Sequence, residues 1–132
     1  MTHDHGLMAA LYPALSTHLG DTLPLFQHVP AGVVPPYVVM EVESLEAGNG
    51  LPSPHFCTRG RLMLRVWSAY EGRLEISKHL KTLEAFFQGK EITLNPGTVW
   101  FEAVKIAYGA PSSKTQQGWH QGHITVAFVL RA

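Results

Sequence analysis

The sequence predicts an α+β domain, an antiparallel sheet of about four main strands with two helices packed on one face. Two observations carry that reading. Between Arg59 and Phe87 the apolar period changes from two residues to a helical spacing without a break, and three other segments are apolar or alternating at strand length. In the first half of the central stretch Leu62, Leu64 and Val66 alternate with Arg61, Met63, Arg65 and Trp67, as in a strand with one buried face. In the second half Ile76, Leu80, Leu83 and Phe87 form one apolar stripe, with Glu75, Lys78, Lys81 and Glu84 free to face water. Ser68 with Glu71 three residues on reads as a capping box opening this second helix, and Gly89 as its stop.

The remaining elements follow in order. Residues 1–5 are expected to be flexible. Leu7, Met8, Leu11, Leu15 and Leu19 recur at three- and four-residue steps after a possible N-cap, Asp4, and define a first helix ended by Gly20. Pro13 inside it removes a hydrogen bond, so a kink or a later start is expected there. Residues 24–29 read as a short strand, and Pro35-Pro36 leads into a strand from Tyr37 to Glu46. The glycines and prolines of 47–57 make a long loop. Residues 90–94 read as a short strand and Asn95-Pro-Gly97 as a turn. Val99 to Tyr108 is apolar at both phases of a strand, with Val99 and Phe101 on one side and Trp100, Val104 and Ile106 on the other. A strand of that kind lies at a sheet centre or under a neighbouring subunit. A second long loop, 109–118, precedes the closing strand, where Ile124, Val126, Phe128 and Leu130 alternate with polar residues.

At 132 residues the chain fits a single domain, 1–132, with one core. Its charged fraction of 15% is low, which favours subunit contacts over an isolated monomer. Ten basic and ten acidic residues cancel, so composition forces no basic patch and gives no indication of dedicated nucleic-acid binding. The single cysteine, Cys57, makes no internal disulfide and fits a reducing compartment. The N-terminus lacks the pattern of a signal peptide, and no apolar run approaches the roughly 20 residues of a membrane span, so no membrane partner is expected.

Motifs for catalysis are missing from the sequence. Of the eight histidines, His120 and His123 stand three apart on a predicted strand and so face opposite ways, and His3 and His5 lie at the terminus. His55 and Cys57 have no third group to orient them as base and nucleophile. There is no nucleophile elbow, phosphate loop or paired-carboxylate motif. Glu41 and Glu43 share a strand face, with Arg61 and Arg65 on the strand expected beside it, and charge pairing within the sheet or between subunits accounts for all four. The expectation is therefore no enzyme activity, no catalytic residue, no metal site and no cofactor.

The order of four motifs, Ala10-Leu-Tyr-Pro-Ala-Leu15, Pro36-Tyr-Val-Val39, Arg61-Leu-Met-Leu-Arg-Val-Trp67 and Gly122-His-Ile-Thr-Val-Ala-Phe-Val129, resembles the minor tail proteins of tailed phages. The family is the tail-completion or tail-terminator type, found also in prophages and gene transfer agents, and the resemblance runs from about Leu7 to Arg131. It departs at Pro13 and at Leu51-Pro-Ser-Pro54. The resemblance implies a structural protein of the virion tail, assembled in the bacterial cytoplasm. Such a protein forms a homo-oligomeric ring, typically a hexamer, that caps the head-proximal end of the tail tube. Its partners would be the tail tube protein and the head-closure or connector protein, with passive passage of DNA.

A ring subunit needs two different complementary faces. Glu41, Glu43, Arg61, Arg65 and Trp67, together with Val99 and Phe101 of the doubly apolar strand, are the candidate interface residues. Ser112, Lys114 and Gln116 of the second loop are candidates for contact with tube or connector. Alternatives are another neck ring of the head-closure or stopper type, and a small ligand-binding α+β domain with a pocket beneath Trp67, Trp100 and Tyr108.

Overall fold

The computed structural model describes residues 5–21, 23–47, 57–68, 74–93, 97–108 and 120–131. In chain order the elements are α1 (His5–Leu19), β1 (Leu25–Phe26), β2 (Tyr37–Ala47), β3 (Cys57–Ser68), α2 (Leu74–Phe87), β4 (Glu91–Thr93), β5 (Thr98–Tyr108) and β6 (His120–Arg131).

The architecture corrects the expectation of an antiparallel sheet of about four main strands with two helices packed on one face. The long strands β2, β3, β6 and β5 do pair antiparallel. Among the described residues, however, six strands join in the order β1-β2-β3-β6-β5-β4, and β1 pairs with β2 in parallel, so the sheet is mixed. It is strongly curled, a half-barrel.

The helix contacts show the consequence of the curl. Helix α2 lies over β3, β5 and β6, whereas α1 packs on α2 and on the two edge strands, β1 and β4. For α1 to reach both edges with α2 between it and the central strands, the edges must rise around α2. Strand twist and two bulges supply the curvature. Tyr12 Oη donates a 2.6 Å hydrogen bond to the Leu25 carbonyl, tying α1 to β1. His18 Nε2 lies 3.2 Å from the Thr82 carbonyl and its ring stacks obliquely on Phe86, tying α1 to α2.

The core fills the trough. Leu62, Leu64 and Val66 of β3, Ile124, Val126 and Phe128 of β6, and Ile76, Leu80, Leu83 and Phe87 of α2 are all essentially inaccessible. Phe86, Phe87, Phe101 and Phe128 form a chain of edge-to-face rings with centroids 5.0, 4.9 and 6.5 Å apart. Edge-to-face packing sets a ring's positive rim on its neighbour's negative face. Leu7, Leu11, Leu15 and Leu19 close the trough from α1.

Three local expectations are revised. Strand β5 is not apolar on two faces. A bulge between Phe101 and Ala103 inserts Glu102, so Val99 and Phe101 before it and Val104 and Ile106 after it all face the core. Trp100 is left outside, 54% exposed. Ser68 does not cap α2: it ends β3, six residues before the helix begins, and its buried hydroxyl donates to Glu75 Oε1 at 2.6 Å. Helix α1 runs from His5 through Pro13 to Leu19, so of the two expected outcomes the later start does not occur. Pro13 and Ala9 are exposed, so the carbonyl that Pro13 leaves without its helical donor lies on the water side. The helix ends fall where expected, at Gly20 and Gly89, both with positive φ. Asp4 and Glu71 lie outside the described residues.

Candidate interaction surface

Helix α2 fills the trough and α1 packs on α2 and the edge strands, so neither helix covers the other side of the sheet. Among the described residues no element packs on it. The strand period sends Arg61, Met63, Arg65 and Trp67 of β3 to this outer face, opposite the buried Leu62, Leu64 and Val66. Neighbouring strands complete the rows by register. Tyr37, Trp67 and Gln121 make one row, and Val39, Arg65, His123 and Ala107 the next. Further along come Ser44, Arg61, Ala127 and Ala103, then Arg59, Val129 and Trp100.

Two bulges shape the end of this face. In β2 the pairing passes from Val42 with Leu62 to Ser44 with Arg61, leaving Glu43 as the inserted residue. In β5 it passes from Phe101 with Phe128 to Ala103 with Ala127, leaving Glu102. Since Arg61 pairs with Ala127, the two inserted residues flank the same row from opposite sides. Both are exposed glutamates. Between them a cleft of about 480 Å³ opens, lined by Glu43, Arg59, Arg61, Glu102 and Ala127, among others.

Charge on this face is unevenly satisfied. Arg65 Nη1 and Glu41 Oε1 meet at 2.7 Å, the only salt bridge among the described residues, with side chains 40% and 48% exposed. At that exposure the pair is worth well under about 1 kcal/mol. Glu43, Glu102, Arg59 and Arg61 make no ion pair among the described residues. At the far end of the face Tyr37 packs edge-on against Phe26, and burial pushes its phenol pKa up.

The expected interface residues thus fall into three groups. Glu41, Glu43, Arg61, Arg65 and Trp67 come together on the outer face. Val99 and Phe101 lie in the core, 0% and 2% exposed, and offer no surface. Ser112, Lys114 and Gln116 lie outside the described residues. Sequence reasoning did not place Arg59, Trp100 and Glu102 on this surface. The signal for the last two was present: apolar residues at both phases of one strand, separated by a single glutamate, are what a bulge produces.

The alternative aromatic pocket is not assembled on this face. Through the register, Trp67 and Trp100 sit eight strand positions apart, roughly 26 Å. His120 pairs with the inward Ser68 and His123 with the outward Arg65, so the two rings leave opposite faces. Among the described residues no three metal-ligating side chains cluster, and no helix is long and apolar enough to cross a membrane. The outer face presents complementary charges at fixed spacing beside exposed apolar side chains, which is chemistry suited to recognition of another protein surface.

No protein-family model matches the chain, and no curated protein does. Among solved structures, the fold is similar to that of a chain in the virion of a native gene transfer agent particle, with a TM-score of 0.66 and 16% sequence identity over 96% of each chain.

Proposed function

We propose that this chain is a structural subunit of a phage-like particle, forming a ring that caps the head-proximal end of a tail tube and joins it to the head connector. One observation carries the reading: the fold likeness to the gene transfer agent virion chain spans 96% of both chains, so the whole domain, and not a common sub-motif, is shared. The order of sequence motifs supports the same family.

The geometry suits the role. The strands of the half-barrel are long, and β2 and β5 finish, at Ala47 and Tyr108, at opposite ends of it. A subunit standing with its strands along a ring axis would offer one end to the tube and the other to the connector. The partners are further copies of itself, six in the family's usual ring, with the tail tube protein and the head-closure protein on either side. DNA passes through the ring without being read. The role is structural, without catalysis or a cofactor.

The test is light scattering of the purified protein across a concentration series, negative-stain imaging of any large species, and co-sedimentation with purified tail tubes and with connectors. Rings that bind tube ends support the proposal. Rings that bind connectors and ignore tube ends would make this a head-closure ring instead. A chain that forms no ring and binds neither would overturn it.

A further inference from the structure

Among the described residues, two differently charged surfaces on opposite sides of the subunit are uncovered. One is the outer sheet face around the cleft. The other is the solvent stripe of α2, where Leu74, Lys78, Lys81 and Ala85 are exposed at helical spacing directly away from the buried Ile76, Leu80, Leu83 and Phe87. We propose that these two surfaces meet between neighbouring copies: α2 of one subunit lies across the cleft of the next, with Lys78 and Lys81 reaching Glu43 and Glu102. This rests on the ring reading and names the contact that builds the ring.

Four features argue for this occupant. The first is charge. Lys78 and Lys81 make no ion pair among the described residues, and neither do the two bulge glutamates. Glu84, on the flank of the stripe, offers a carboxylate to Arg61. The second is length. Leu74 to Ala85 spans about 16 Å of helix, and Glu43 to Glu102 spans three inter-strand steps, about 14 Å. The third is exposed apolar surface: Leu74 is 73% exposed on the stripe and Trp100 54% exposed beside the cleft, so each face carries one large side chain whose burial favours association. The fourth is direction. A contact between opposite sides of a subunit is head-to-tail, and such contacts close into rings by rotation.

Charge reversal tests the contact without touching the core, since all four side chains are exposed. The variants are E43K/E102K, K78E/K81E and the quadruple charge swap, each checked for an unchanged melting temperature. Self-association is followed by light scattering, and assembly at tube ends by co-sedimentation. Each double variant sets like charges against each other at every contact and is expected to weaken association at least about tenfold. The quadruple variant restores opposite charges and should assemble again. So should an equimolar mixture of the two doubles, because alternating subunits then meet lysine to glutamate throughout an even-numbered ring. Double variants that assemble like the wild type overturn the inference and leave the ring reading standing, as do doubles that fail and are not rescued. A wild-type chain that neither self-associates nor binds tube ends removes the ring reading and the inference with it.

Discussion

Gly122 of β6 and Ile76 of α2 occupy adjoining space so tightly that a Cβ on Gly122 would collide with Ile76 Cγ2 and come within 2.9 Å of Leu80 Cδ1. The missing side chain is what lets α2 settle into the trough. Gly122→Ala should cost about 1–3 kcal/mol, since two core side chains must leave their rotamers, and Gly122→Val more. Urea denaturation measures it; a variant as stable as the wild type would mean that the helix shifts freely on the sheet.

The Glu102 bulge separates two predictions that look alike in sequence. Glu102→Ala keeps the inserted residue and its register and should change stability by less than about 0.5 kcal/mol. Deleting Glu102 removes the bulge and leaves Val99, Phe101, Val104 and Ile106 in one unbroken alternation against β6, so all four keep facing the core while the strand loses its local bend. The expected loss is therefore that of an ordinary single change, about 0.5–3 kcal/mol, arising from the altered twist of β5. Thermal melts check both: each variant is expected to unfold cooperatively, and loss of the folded state on deletion would show that the bulge itself is needed to seat Val99 and Phe101.

Arg65 and Glu41 bridge β2 and β3 at 2.7 Å but remain 40% and 48% exposed. A double-mutant cycle of Arg65→Ala and Glu41→Ala should give a coupling of about 0.2–1 kcal/mol. It should shrink as salt is raised, because exposed charges are screened. A coupling above that range and indifferent to salt would show the pair to be desolvated.

His79 sits half-buried on α2, and burial lowers its pKa below the ordinary 6.5, with Lys78 adding to the effect and Glu75 opposing it. The unfolded chain therefore takes up a proton near pH 6.5 that the folded chain resists. Stability is complete above that pH and declines as the pH falls below it. Comparing wild type with His79→Gln isolates this contribution from the other histidines: the difference between their urea midpoints should change between pH 7 and pH 5, with the wild type losing more.

Much of the fold was readable because short-range periodicity reports burial. The two-residue alternation of Arg59 to Trp67 and of Gly122 to Val129, and the helical stripe from Ile76 to Phe87, each became the expected element with the expected buried face. The face carrying Glu41, Glu43, Arg61, Arg65 and Trp67 was likewise legible, since the residues opposite a buried alternation must face outward.

What local pattern does not encode is where strands and helices go once they form. The parallel pairing of Leu25 with Val38 depends on two distant segments meeting. The position of α1 against both sheet edges depends on the curl, which arises from the twist and bulges of all the strands together. The single-residue bulges at Glu43 and Glu102 exist only by reference to a partner strand. They turned Val99 and Phe101 from apparent surface into core and set two glutamates beside Arg59 and Arg61. By itself, then, the sequence determined which residues are buried in β3, β6 and α2. The tertiary structure decided the sheet's curvature, and with it which charges stand together on the open face, because those depend on register across strands that the chain order does not contain.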